Sequence, residues 1–287
     1  VKRGFRGTVH ATLATADLCS YMLRDSGHIQ EKDAEFANKR SARRGNHRPP
    51  REPLYTVVDA ERALEHFTGH AYYKPFTVAP GVTATFHDAG HILGSAIVRL
   101  EAQEDGQARS IVFSGDLGRP QLPIIRDPDR VGAEDVLIIE STYGDRDHQP
   151  LGAAAERLAG IIRHIVERKG KLLIPAFAVG RTQEIVFELM KLLRERRIPD
   201  IPVFIDSPLA VNATEVFGRH PECFDEETRG VLRGAGDPFG LGRMHYLETV
   251  EESMALNTAP GPCIIISASG MMEAGRILHH LRNSVGD

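Results

Sequence analysis

Cysteine is scarce in this chain: three in 287 residues, at Cys19, Cys223 and Cys263, far apart from one another. That spacing excludes a disulfide framework and any paired-cysteine zinc motif, and it suits reduced thiols in the cytoplasm. Long apolar runs are also missing, so no segment is long enough to span a bilayer, and no signal peptide opens the chain. Neither sign of charge dominates. A net charge of -4 gives no global attraction for nucleic acid, so any such binding needs a local basic patch. Internal repeats and low-complexity tracts are absent. What remains is an ordinary globular composition, 41% hydrophobic and 26% charged, which excludes a disordered chain. The length suits one large or two medium domains with ample core.

Strand and helix signals alternate. Residues 9–12 read as a strand, and residues 15–28 as a helix opened by a threonine cap. Val82, Ala84 and Phe86 alternate with Thr83, Thr85 and His87, the period-2 pattern of a half-buried strand. Ala96, Val98 and Leu100 alternate with Ile97, Arg99 and Glu101 in the same way, and Gly106 marks a turn before Ile111-Val112-Phe113. This predicts an antiparallel hairpin or meander. After Glu140 the order changes to helix 151–168, strand 171–174, helix 182–195, strand 203–205 and helix 209–219. Ile185, Val186, Leu189, Leu192 and Leu193 form one apolar helix stripe. Such alternation predicts a parallel α/β sheet, with a domain boundary near Asp145 that separates residues 1–145 from 146–287.

Three motifs carry chemistry. They are His87-Asp88-Ala89-Gly90-His91-Ile92-Leu93-Gly94-Ser95, Phe113-Ser114-Gly115-Asp116-Leu117-Gly118 and Ile139-Glu140-Ser141-Thr142-Tyr143-Gly144-Asp145. Each ends a short apolar strand and puts a His, Asp or Glu where a rigid scaffold holds it at a cleft. Imidazole and carboxylate suit catalytic zinc, but one His and one Asp make only part of a site. Read without further context, His91 caps a turn, Asp116 makes an Asx turn and Glu140 caps a loop at a sheet edge.

The ordered set resembles the third and fourth metal motifs of the metallo-β-lactamase fold followed by motif A of its β-CASP branch. That branch is similar to the nuclease subunit of the cleavage and polyadenylation factor, ribonuclease J and their bacterial relatives. The likeness runs from Val1-Lys2-Arg3-Gly4 through Ser269-Gly270-Met271-Met272 to His279-His280. It implies an α/β fold: a partial metallo-β-lactamase αββα sandwich with an inserted parallel-sheet β-CASP domain. It also implies two zinc ions, with His91 a ligand of the first and Asp116 bridging both. Cations roughly 3.5–4 Å apart share one hydroxide nucleophile. Glu140 is implied to orient a catalytic His that protonates the leaving oxygen. His87, on the strand itself, is assigned a surface or supporting role, and no role is derived for His148.

The family's His-x-His-x-Asp-His motif occurs nowhere in the chain; His10, His28, His47, His66 and His70 all stand outside it. Its later histidine motifs are absent as well. The expectation is therefore an internal fragment of a longer zinc-dependent ribonuclease, inactive alone. The rivals are a DNA nuclease of the same branch and a catalytically dead scaffold subunit of an RNA-processing complex.

Substrate contacts are expected at three strand-to-helix junctions: residues 175–181, 206–209 and 267–271. In a parallel sheet these share one edge. Small residues at the third junction, Ser267, Ser269 and Gly270, are expected to admit an RNA phosphate to the amides of the helix that runs toward His280. Arg181 is expected to add a bidentate contact. The basic run from Lys39 to Arg51 reads as a solvated loop, with tracking of a phosphate backbone as its alternative use. His279 and His280, adjacent and so on different helix faces, read as structural. RNA is the expected partner, no membrane is, and unpaired sheet edges leave a homo-oligomer open.

Overall fold

A computed structural model of the chain describes residues 1–44, 49–104, 106–147, 152–234 and 236–285. His148 and residues 45–48 of the basic run lie outside them.

The chain opens with strand β1 (Val9–Thr12) and helix α1 (Leu13–Arg43), followed by α2 (Val57–Leu64) and β2 (Phe67–His70), which pairs parallel with β1. The first helix is far longer than residues 15–28. Gly27, near the expected end, lies inside the helix. A Cβ there would sit 2.9 Å from the Val57 nitrogen, so the glycine admits the start of α2 rather than ending α1. Lys39, Arg40 and Arg43 accordingly belong to the last turns of a helix, not to a loop.

The threonine cap of α1 is Thr12, whose Oγ1 accepts from the Thr15 amide at 3.1 Å and donates to the Gly94 carbonyl at 2.8 Å. It thus ties α1 to the segment that carries His91. Replacing Thr12 with alanine should cost about 1–2 kcal/mol, measured by urea unfolding. A loss near zero would show that Thr15, which also donates to Gly94, suffices.

Five strands follow: β3 (Phe76–Ala79), β4 (Val82–Asp88), β5 (Ala96–Glu104), β6 (Gln107–Phe113) and β7 (Val136–Ile138). They form one sheet in that order, antiparallel except for the parallel β6–β7 pair. The expected alternation in β4 holds, with Ala84, Phe86 and Asp88 buried. In β5 the most buried residue is Ile97, from the other face, because the segment after β6 folds back and packs Leu117 and Val131 on Ile97 and Val112.

Next come α3 (Gly152–Glu167), β8 (Lys171–Pro175), α4 (Arg181–Arg194), β9 (Val203–Asp206), α5 (Pro208–Arg219), α6 (Glu226–Gly234), β10 (His245–Leu247), α7 (Val250–Ala255), β11 (Cys263–Ser267) and α8 (Ile277–Ser284). Their strands make a fully parallel sheet in the order β10-β9-β11-β8. The predicted stripe of α4 faces its core, where Val186, Leu189 and Leu192 are buried against Ile264 and Ile266.

The two larger sheets are separate, but apolar packing crosses between them. One buried cluster joins Ala14 and Leu18 of α1, Leu93, Ile124 and Ile125 to Phe187 of α4, Val216 and Phe217 of α5, and Phe224. His220, at the end of α5, adds a polar tie: Nε2 lies 2.9 Å from Asp17 of α1 and Nδ1 2.7 Å from Glu222. No helix among the described residues is long and apolar enough to cross a membrane.

Candidate active site

The turn after β4 is pinned from several sides. Asp88, buried at the strand end, accepts from the Gly90 amide at 2.9 Å and pairs with Arg126 at 3.0 Å. Burial pushes its carboxyl above the usual range, and the Gly90 amide and Arg126 only partly offset that. Ser95 Oγ accepts from the amides of His91 and Ile92, which fixes the backbone that presents the His91 ring. His87 stays on the strand, its ring edge-on to Tyr73.

The turn after β6 lies directly on this one. The Gly118 amide donates to the Ala89 carbonyl at 2.8 Å. A Cβ on Gly118 would come within 1.6 Å of the Gly90 carbonyl oxygen, so only glycine allows the approach. Asp116, in the same turn, is exposed. The third strand end is bonded to the second: Glu140 Oε1 accepts from the Leu117 amide at 2.7 Å, and the Glu140 amide donates to Ser114 Oγ. Hydrogen bonds from the Thr142 hydroxyl and the Leu117 amide, with a smaller contribution from His91, hold the Glu140 carboxyl below its ordinary range. The turns that carry His91, Asp116 and Glu140 therefore form one hydrogen-bonded unit.

The parallel sheet meets this unit at its first junction. Gly180, at φ +81°, precedes α4, and a Cβ there would lie 2.9 Å from Ile92 Cγ2. Arg181 follows at the first helical position, 60% exposed and 2.7 Å from Glu184. Burial raises the Glu184 carboxyl, while Arg181, Arg119 and His91 pull it down, so all three side chains lie near this one carboxylate. Arg181 is thus beside the His91 turn.

All three junctions do share the carboxyl edge of the sheet, since Ser267 is in register with both Pro175 and Asp206. The third differs from expectation in detail. The helix toward His280 begins at Ile277, after a loop of residues 268–276, rather than at Gly270. Its first amides are already used: Ile277 donates to Ala268 and Leu278 to Gly275. Ser267 is buried and its hydroxyl donates to the Asp206 carbonyl, the Ser269 amide donates to Ala274, and Gly270 abuts Phe177. A loop closed on itself, not an open helix terminus, occupies this place.

That loop is held by a network that sequence inspection missed. Asp206, fully buried at the end of β9, accepts from Arg276, Ser253 and His280, each at 2.6 Å. The available signal was an aspartate at a strand end with Arg at the start of a later helix and His within it, but 70 residues separate Asp206 from Arg276. His280 is buried and His279 exposed, as their adjacency implies.

Metal ligation fits the described residues only in part. No group of three or more His, Cys, Asp or Glu side chains among them is placed to hold a metal ion. His91 and Asp116 fall short of the three protein ligands that a catalytic zinc normally takes. His10 and His70 pair with each other at 2.9 Å, and His70 stacks on Phe76, so both serve packing.

Comparison with known proteins agrees with the motifs. The Beta-Casp domain profile matches residues 182–287. Ribonuclease TTHA0252 of Thermus thermophilus is 33% identical over 286 residues, covering 100% of this chain and 60% of the relative. An RNase J-like protein of Methanocaldococcus jannaschii is 34% identical over 234 residues, 79% of this chain and 52% of its own. Transcription termination factor FttA of Methanosarcina mazei is 30% identical over 286 residues, 98% and 42% respectively. The chain thus spans from 42% to 60% of the length of these relatives. With the strand-end motifs and the parallel sheet, these matches make the chain similar to β-CASP ribonucleases, and residues 182–287 match the Beta-Casp domain.

Proposed function

We propose that this protein processes RNA by hydrolysing phosphodiester bonds, and that it does so at the seam between the two sheets. One observation carries the reading: the turns of His91, Asp116 and Glu140 are bonded into a unit against which the Arg181 loop is laid. An ionised carboxylate, an imidazole and an exposed guanidinium then lie along one seam. The guanidinium has five donors and uses one on Glu184, so it retains donors for a substrate phosphate. Relatives named as ribonucleases support RNA as the substrate. The three free cysteines, two of them buried, suit a reducing compartment such as the cytoplasm.

We assign His91 and Asp116 to zinc ligation in the active protein. The described donors do not complete such a site, so residues 1–287 alone should hold zinc weakly and cleave RNA below detection. The tests are elemental analysis after gel filtration and an RNA cleavage assay with and without added zinc. Stoichiometric zinc with chelator-sensitive cleavage would show that the donor set is complete elsewhere in the chain. Binding is separable from cleavage. Single-stranded RNA should bind with affinity that falls as salt rises, and Arg181→Ala should weaken binding to all sequences alike. No measurable RNA binding at low salt would refute the RNA reading.

A further inference from the structure

Phe177 is conspicuous among the aromatic residues of the parallel-sheet half. Phe187, Phe217, Phe224 and Phe239 are all buried, whereas Phe177 is 55% exposed at the carboxyl edge of the sheet. Its placement is fixed rather than loose. The Phe177 carbonyl accepts from both the amide and the hydroxyl of Thr182, at 3.2 and 2.8 Å. The ring lies against Gly270, where a Cβ would stand 3.0 Å from Cδ2 and 3.1 Å from Cε2. A larger residue at 270 would push the ring aside. Met271 and Met272 come next in the chain and are 64% and 47% exposed, so soft apolar surface continues beyond the ring.

This surface borders the seam proposed as the site. The loop that carries Phe177 reaches Gly180, which touches Ile92 beside His91, and ends at Arg181. An aromatic face and an exposed guanidinium on one short loop match a nucleotide, which joins a flat apolar base to an anionic phosphate. An apolar protein surface would not complement the cation.

We propose that Phe177 is a stacking platform for a nucleobase of single-stranded RNA, with Met271 and Met272 extending it and Arg181 meeting the adjoining phosphate. The assignment rests on the RNA reading above and adds a base contact to it. Stacking is tolerant of sequence because every base has a π-face, so this contact sets affinity and register without selecting a base.

The natural absence of tryptophan makes the test direct, because Phe177→Trp introduces a single indole reporter. The 287-residue chain, its Phe177→Ala and Phe177→Trp variants, a short oligoadenylate and an abasic ribose-phosphate oligomer of equal length are compared with chelator present. Phe177→Ala should weaken oligoadenylate binding by about fivefold or more, the smallest loss expected for one stacked base. It should leave the abasic oligomer's affinity unchanged. Phe177→Trp should bind like the parent chain, and oligoadenylate but not the abasic oligomer should quench its emission. Undiminished oligoadenylate binding by Phe177→Ala, with unquenched indole emission, would overturn the platform and leave the RNA reading standing. Failure of the parent chain to bind either oligomer would remove the RNA reading and the platform with it. Self-association lost in Phe177→Ala, with RNA affinity intact, would assign the patch to a second copy instead.

Discussion

Replacing Asp206 with alanine should lower unfolding free energy by about 3–5 kcal/mol, the range for removing one partner of a buried ionic cluster. The side chain is fully buried and accepts from Arg276, Ser253 and His280. Its loss would leave the buried Ser253 hydroxyl and His280 imidazole without this acceptor, while the partly exposed Arg276 would keep its bond to the Glu248 carbonyl. The effect has a pH signature. Burial alone would raise the Asp206 carboxyl, but the bonds from His280, Ser253 and Arg276 outweigh it and hold the group below its ordinary value. A depressed carboxyl contributes stability that is present above the unfolded-state pKa, about 3.9 for aspartate, and lost as pH falls through the folded value. Parent-chain stability should therefore drop as pH falls below about 4, and Asp206→Asn should flatten that part of the profile. Urea unfolding across the acid range measures both. A cost below about 1 kcal/mol for Asp206→Ala would place the network outside the forces that hold the third junction.

Gly118→Ala should be comparably damaging, for a different reason. The new methyl carbon would fall 1.6 Å from the Gly90 carbonyl oxygen and 2.8 Å from the His91 nitrogen. Both are backbone atoms in a turn pinned by Asp88 and Ser95, so no flexible side chain can yield. Overpacking typically costs about 1–3 kcal/mol, and a backbone clash in a pinned turn belongs at or above the upper end. The displacement would also part the His91 turn from that of Asp116 and Glu140, so RNA affinity should fall together with stability. Gly132→Ala is the control, because nothing lies within 4 Å of its Cβ position and neither property should change. Equal melting curves for the two variants would mean that the two turns separate freely.

What the sequence determined by itself was local. Period-2 burial in β4 and the apolar stripe of α4 are short-range patterns that survive into the fold because each element meets one core face. Strand-end placement of His91, Asp116 and Glu140 was legible for the same reason, since each follows a short apolar run. The length of α1 was not legible. Gly27 looks like a terminator until the start of α2 is seen to lie against it. The helix expected directly after Gly270 likewise gives way to a loop whose shape depends on Asp206, a residue of another strand.

How the parts of the site meet was decided only in three dimensions. Ile92 against Gly180, Phe177 against Gly270 and Asp206 against His280 are juxtapositions between distant segments. No periodicity records them, because they arise from how two sheets and a crossing core are packed. Sequence motifs name the donors of a site. Tertiary packing decides which segments meet, and here it brings the turns of His91, Asp116 and Glu140 against the Arg181 loop while turning Ser267 inward.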